Sequence, residues 1–394
     1  LQEVAVLTPR GRTARLHQQT DCEGKMRFAV DGRYIQDHFP GIGRYTYNLV
    51  RALAEEIRDD ALILLHNPRP LNTRYDLSRL GANVRPVLCE TPTMSLREQI
   101  SLPRAVRRLD ADVLHSPYYI KPYWLPVPSV LTYYDVIGLL FPAALPSVRA
   151  RLVFRLASWL ALGGAAKVIL LSEAARLDVV RCFRVPREKT VVVYPAADAR
   201  FVPQPPEAVA RVREKCGLDG PYALYLGTTK PHKNIALLLD AWARARPQAQ
   251  LVLAGAEDAR YPYPRERARS LGLERDVAFL GSVNEEDLPA LYSGAALFVF
   301  PSLYEGFGLP VLEAMACGSP VLSSDAASLP EVVGEAGVLL PPGDLDGWSQ
   351  ALADLLSRPE ELQAMRQRSL ARAKTFSWSR AARETLSVYR EVLA

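Results

Sequence analysis

Residues 301–320 read PSLYEGFGLPVLEAMACGSP and follow an apolar run, ALFVF, at 296–300. The run predicts a buried strand. Beyond Leu309 the pattern predicts a helix, with Pro310 where an early helical position tolerates a missing N–H. The loop between them, 302–309, therefore ends at a helix N-terminus. Unpaired N–H groups of that first turn favour a negatively charged ligand such as phosphate, and Gly306 and Gly308 permit close backbone approach. Glu305 and Glu313 flank this spot. Beside a phosphate they make sense as acceptors for neutral hydroxyls on either side of it, because an ionised carboxylate is acceptor-only. A nucleotide sugar has that layout, with a diphosphate between a ribose diol and a hydroxyl-bearing sugar. The plainer alternative has Glu313 complementing the helix dipole and Glu305 solvated.

On both sides of this stretch apolar runs alternate with helical segments. YALYLG, QLVLAG, DVAFLG, ALFVFPS, SPVLSS and GVLLPP form one series, and ALILLH, NVRPVL, DVLHSP, SVLTYYD, KVILLSE and TVVVYP an earlier one. Each series predicts a parallel sheet covered on both faces. The proline-dense DARFVPQPPE at 198–207 reads as the linker between them. The expected fold is therefore α/β, two Rossmann-like doubly wound domains. The expected boundaries are 26–200 and 201–375, with a closing amphipathic helix at 376–394. Met26 directly precedes the first strand, so residues 1–25 read as an extension of uncertain origin.

The spacing of Glu305 and Glu313 inside EGFGLPVLEAMACGSPV resembles the E-x7-E signature of glycosyltransferase family 4, retaining enzymes of the glycosyltransferase-B fold. The resemblance is nearest to mannosyltransferase-like members that build polysaccharides and O-antigens. It implies two domains facing across a cleft, with the closing helix crossing back onto the first. It also implies that Glu305 contacts the donor sugar and Glu313 the ribose, with Gly306, Phe307, Gly308 and Leu309 around the donor. In GTTKPHKNIALLLDAW, Lys233 matches the family's lysine on the donor diphosphate. Thr228 and His232 stand where relatives often carry arginine, and Lys230 is a further cation nearby. FLGSVNEEDLPALYSGA resembles the segment whose backbone meets the nucleotide base near Gly281 and Val283.

The first domain opens DGRYIQDHFPGIGRYTYNLVRALAEEI, a loop with Gly41 and Gly43 leading into a helix. Thr46 replaces the third glycine of a dinucleotide fingerprint, which argues against NAD. Resemblance implies that Gly41 and Gly43 approach the donor phosphate or the acceptor; the alternative is a tight turn. Strand ends, where ligands of such sheets bind, place His115, Ser116, Tyr134, Asp135, Ser172 and Glu173 as candidates. The family's His-Asp pair is here Tyr134-Asp135. A phenol donates a hydrogen bond but is no acid or base near neutrality. Asp135 joins Glu305 and Lys233 as the expected catalytic set.

No metal is expected. Asp110-Ala111-Asp112 spells a DxD, but it precedes the strand VLHSP on its amino side and reads as a turn. Ser328-Leu329-Pro330-Glu331 reads as a structural capping box. Five scattered cysteines without ligand spacing point to a reducing cytosol. No run of about 18 apolar residues predicts a membrane span.

Residues 26–200 hold 24 Lys and Arg against 16 Asp and Glu, whereas residues 201–394 hold 20 against 24. The basic front half suits an anionic membrane surface or an anionic acceptor. Its arginine-rich segments, with Arg149, Arg151, Arg155, Phe154 and Trp159, read either as bilayer-facing or as ordinary helices packed on a sheet. The expected location is cytoplasmic, peripheral to the inner membrane face at most, with no nucleic-acid partner.

The reading is a metal-independent hexosyltransferase without a cofactor. It would use GDP-mannose or a UDP-hexose as co-substrate and a glycan, lipid-linked or small-molecule acceptor. Two rivals remain: a nucleotide-sugar epimerase of the same architecture, which would turn over donor without acceptor, and a non-catalytic binder, which would bind without turnover.

Overall fold

The computed structural model describes residues 25–141, 145 and 147–394. The extension read at 1–25 lies outside the described residues apart from Lys25. The first sheet holds β1 (Arg27–Asp31), β2 (Ala61–His66), β3 (Val84–Leu88), β4 (Val113–Ser116), β5 (Ser129–Tyr133), β6 (Lys167–Leu170) and β7 (Thr190–Val192), in the order β3-β2-β1-β4-β5-β6-β7. The second holds β8 (Tyr222–Leu226), β9 (Gln250–Ala254), β10 (Val277–Gly281), β11 (Leu297–Phe300), β12 (Val321–Ser324) and β13 (Val338–Leu340), in the order β10-β9-β8-β11-β12-β13. Every pairing is parallel. Parallel strands need helical crossovers on both faces, so their residues are buried on both sides. Phe28, Ala29 and Val30 of β1 and Leu297 to Phe300 of β11 accordingly have no exposed surface.

In each sheet the strand order reverses beside the first strand, between β1 and β4 and between β8 and β11. Crevices form at the carboxyl ends there. The loops leaving β1, β5, β8 and β11 carry the candidate residues. The helix Trp378–Glu391 lies along the helix Pro40–Glu56 of the first half. Trp378 Nε1 donates to the Ala197 carbonyl at 3.1 Å, and the Tyr389 hydroxyl meets His115 Nδ1 at 2.6 Å.

Several local readings change in three dimensions. Gly41 and Gly43 lie within the first turn of the helix Pro40–Glu56, not in a loop before it. Ser328 and Glu331 form no capping box. The Ser328 hydroxyl donates to the carbonyls of Glu305 and Phe307, at 2.9 and 2.8 Å, so it braces the loop before the helix Leu309–Ala316. Glu331 reaches the other half and accepts from the Glu173 and Ala174 N–H groups, at 2.8 and 2.7 Å. A carboxylate with two strong backbone donors within reach gains more from them than from its own helix end. The helix Val148–Gly164 buries only Ala157, Ser158, Ala161 and Leu162. It turns Val148, Leu152, Val153, Leu156 and Trp159 outward, against its reading as an ordinary packed helix.

Candidate active site

The loop after β11 meets the first half of the chain at its glycine. A Cβ on Gly306 would stand 2.4 Å from the Tyr134 carbonyl oxygen and 3.0 Å from Asp135 Cβ, so only glycine fits there. Ser172 Oγ donates to the Gly306 carbonyl at 2.7 Å, and the Tyr304 hydroxyl to Asp178 at 2.7 Å. The glycine that the sequence offers to a ligand thus also serves the approach of the two halves. Gly308 adopts φ +103° and caps the helix Leu309–Ala316, which starts one residue before Pro310.

Beside this contact lies a cavity of about 350 Å³, lined from the first half by Phe39, Gly41, Tyr134 and Asp135 and from the second by Glu305 and Phe307. Gly306, Gly308 and Leu309 also border it, while Gly43 does not. Gly43 is buried, its Cα facing the Tyr34 carbonyl. Lys233 Nζ donates to Glu305 Oε1 at 2.6 Å, and its ammonium lies 5.3 Å from the centroid of the Phe300 ring. Lys233 ends a short 3-10 turn, Pro231–Lys233, before the helix Ile235–Ala245. Next to it, burial and then the Lys233 charge lower the His232 pKa to about 4. The imidazole is therefore neutral near pH 7, and its Nδ1 has no hydrogen-bond partner among the described residues.

Asp135 accepts from the Ile137 N–H and the Tyr119 hydroxyl, both at 2.9 Å. Burial pushes its carboxyl pKa up, and those two hydrogen bonds oppose the shift. The Tyr134 hydroxyl donates to the Pro117 carbonyl at 3.1 Å. His115 and Ser116 are fully buried, and His115, held between Thr132 and Tyr389, has its pKa lowered to about 3 by burial. They serve the core. Glu173 pairs with Arg176 and Arg187 at the start of a helix. Thr228 follows β8, its carbonyl accepting from the Tyr225 hydroxyl at 3.0 Å. Gly281, at φ +63°, and Val283 stand at the carboxyl end of β10, where the Gly281 carbonyl accepts from the Gly255 N–H at 2.7 Å.

No local motif indicates what holds Glu313. Its side chain is 1% exposed and pairs with Arg44 of the first half, while the Tyr292 hydroxyl donates to its other oxygen at 3.2 Å. Burial pushes the Glu313 pKa up, with Arg44 opposing it. Arg44 also pairs with Glu285, which takes further hydrogen bonds from Arg74 at 2.6 Å and Arg200 at 2.8 Å. The Arg44 and Arg200 guanidiniums both lie over the Phe201 ring, 5.4 and 5.3 Å from its centroid. Arg44 directly follows the quoted glycines in GIGRY, but no local pattern says which distant carboxylate it meets. Among the described residues no group of three or more His, Cys, Asp or Glu could hold a metal ion.

The chain matches two family descriptions, Glycosyltransferase Family 4 over residues 40–201 and Glycosyl transferases group 1 over residues 209–372. It is 32% identical to O-antigen chain mannosyltransferase B of Escherichia coli, over 93% of this chain and 99% of that one. It is 34% identical to an MMP alpha-(1->4)-mannosyltransferase of Mycolicibacterium hassiacum, over 58% of this chain and 54% of that one. Among solved structures, sucrose-phosphate synthase of Thermosynechococcus elongatus superposes with a TM-score of 0.75 at 22% identity, covering 93% of this chain and 99% of that one. Anabaena HepE in complex with UDP and glucose superposes with a TM-score of 0.73 at 21% identity, covering 93% and 100%. Two parallel sheets with facing crevices, and likeness along nearly the whole chain, make this protein a member of glycosyltransferase family 4 with the glycosyltransferase-B fold.

Proposed function

We propose that the protein moves a hexose from a nucleotide-diphosphate sugar to a glycan or lipid-linked acceptor, retaining the anomeric configuration and using no metal. The Lys233–Glu305 contact at 2.6 Å carries this reading. An ammonium has three donors and spends one on Glu305, leaving two for the donor diphosphate. Glu305 keeps acceptor capacity for a sugar hydroxyl. In the step, the bond from the anomeric carbon to the diphosphate oxygen breaks and its electron pair leaves with the diphosphate. Lys233 stabilises that growing charge. The acceptor oxygen bonds the same carbon from the same face, and its proton passes to the leaving diphosphate. Asp135 orients the sugar from the first half and Glu313 takes the ribose diol. Gly281 and Val283 offer backbone to the base, and Gly41, Tyr134, Thr228, Phe307 and Leu309 complete the donor's surroundings. The domain division at residue 200, with 376–394 completing the first domain, belongs to the same proposal.

GDP-mannose is the first donor to test, on the likeness to O-antigen chain mannosyltransferase B, with UDP-glucose second on the likeness to HepE. Each is incubated with and without a glycan acceptor panel, and the product's anomeric configuration is read by NMR. Acceptor-dependent product of unchanged configuration is expected. Donor turnover that needs no acceptor would overturn the reading in favour of an epimerase, and binding with no turnover on any acceptor in favour of a binder.

We further propose peripheral attachment to an anionic bilayer through the helix Val148–Gly164. No helix among the described residues is long and apolar enough to cross a membrane. Its outward Leu152, Leu156 and Trp159 share a groove with Arg155, Arg181 and Arg184, so apolar insertion and positive charge coincide. Co-sedimentation with phosphatidylglycerol vesicles at low salt, reduced by Leu156→Ser with Trp159→Ser, is the expected result. No co-sedimentation with those vesicles would remove this part.

A further inference from the structure

The first half carries a second polar cavity, of about 480 Å³, at the carboxyl ends of β2 and β3. Arg97, Ser101, Arg104 and Arg108 line it along one stripe of the helix Glu98–Arg108 and the residue before it. Residues three and four apart on a helix share a face. Arg69 and Glu90 line the opposite side and pair with each other at 2.8 Å. Glu90 is thus the one acid among four arginines here. Arg97, Arg104 and Arg108 are exposed and make no ion pair or side-chain hydrogen bond with any described residue. Between them Ser101 Oγ is buried and likewise has no hydrogen-bond partner among the described residues.

Three guanidiniums along one cavity wall raise its positive potential and favour an anion there. An unpartnered buried hydroxyl in the same wall is a further donor. Guanidinium forks match phosphate oxygens two at a time, which selects phosphate over a simple halide. The floor is rigid. Arg33, fully buried on Asp31 and Glu98, donates to the Thr91 and Pro92 carbonyls at 3.0 and 3.4 Å. Arg33 stands two residues beyond the end of β1, whose carboxyl end leads through Phe39 to Gly41 at the cleft. The cavity therefore opens on the rim of the sheet that faces the transfer site. Leu96 before this helix and Ile100 on it are exposed, as is Trp124, whose neighbour Tyr123 donates its N–H to Gln99 Oε1 of the same helix at 2.9 Å.

We infer that this arginine groove binds the phosphate or diphosphate group of the acceptor. The groove's preference for phosphate stands on its own geometry, and the acceptor role rests on the transfer reading above. A phospholipid headgroup would offer the same chemistry, and the experiment separates the two sources.

Binding of inorganic pyrophosphate to the full chain is measured by calorimetry for wild type, for Arg97→Ser/Arg104→Ser/Arg108→Ser and for Lys233→Ala. Two sites are expected on wild type. The triple variant should lose one, with about tenfold or greater weakening, and Lys233→Ala the other. Unchanged binding in the triple variant, with loss in Lys233→Ala, would overturn the groove and leave the donor site standing. Loss in the triple variant alone would leave the groove standing and count against the donor site. Phosphatidylglycerol vesicles then name the source. If the triple variant sediments as wild type does, the groove serves an acceptor-borne phosphate. If it sediments less while Leu156→Ser/Trp159→Ser stays bound, the groove serves a headgroup. Since all three arginines are exposed, the triple variant should melt within a few degrees of wild type. Arg104→Lys alone, which keeps the charge and loses the fork, should weaken pyrophosphate binding less than Arg104→Ser.

Discussion

Glu305 and Glu313 leave the same loop and helix but are held from opposite sides of the molecule. Glu305 pairs with Lys233, which follows β8 of its own sheet, so that pair exists whether or not the first half is in place. Glu313 is buried more deeply and is paired by Arg44, which belongs to the helix packed on the first sheet. One carboxylate belongs to a preassembled charge pair within a domain, and the other is completed only where the halves meet. On the proposed roles, the leaving-group end of the donor site is assembled within one half, whereas the ribose end needs a residue from each half.

The sharpest way to break that contrast is at the preassembled pair. Glu305→Gln and Lys233→Ala should each lower kcat by roughly a hundredfold or more, the scale of losing one preorganised electrostatic contact in the transition state. Steady-state kinetics showing kcat near wild type, with only KM altered, would contradict the assignment. Next comes the contact between the two halves at Gly306. Gly306→Ala forces a Cβ against the Tyr134 carbonyl, so the halves must part, and kcat should fall by roughly tenfold or more, as for about an ångström of misplacement. A variant with full activity would show that the closed contact is not needed for transfer.

At Glu313 the effects should move to donor binding and stability. Arg44→Ala leaves a buried carboxylate without its cation, a loss of about 3 kcal/mol or more. Differential scanning calorimetry should then show a fall in Tm of about 3 °C or more, at roughly 1 °C per kcal/mol for a chain of 394 residues. Adding Glu313→Gln should restore part of it, because the two changes share one interaction. Glu313→Gln alone should raise the donor KM with little change in kcat, since a ribose diol changes little during transfer. Equal kcat losses at Glu305 and Glu313 would erase the distinction between the two ends. The smallest expected effect is none at all. If Lys233 carries the leaving-group charge, EDTA should leave turnover within error of untreated enzyme. Loss restored by manganese would give that role to a metal and reopen Asp110 and Asp112.

The two alternating series and the loop carrying Glu305 were legible in the sequence. Apolar runs, glycines and helix starts are encoded within windows of a few residues, where backbone sterics and burial periodicity act. Lys233 and Glu313 stood out as candidates through the spacing of their motifs, though their geometric partners did not. The pairing of Arg44 with Glu313 joins residues 269 apart in the chain, and Glu331 with the Glu173 N–H joins residues 158 apart. Such pairs depend on how two finished sheets dock, which no local window contains. The same holds for Ser328, whose pattern with Glu331 read as a cap until closer donors and acceptors claimed both. The helix Val148–Gly164 had an ambiguous face because its pattern suits a sheet or a bilayer equally. Local chemistry determined the elements and the loop at the heart of the site. Tertiary structure alone decided which charges face each other, because desolvation on docking makes an unpaired buried carboxylate or guanidinium too costly to leave without its counterion.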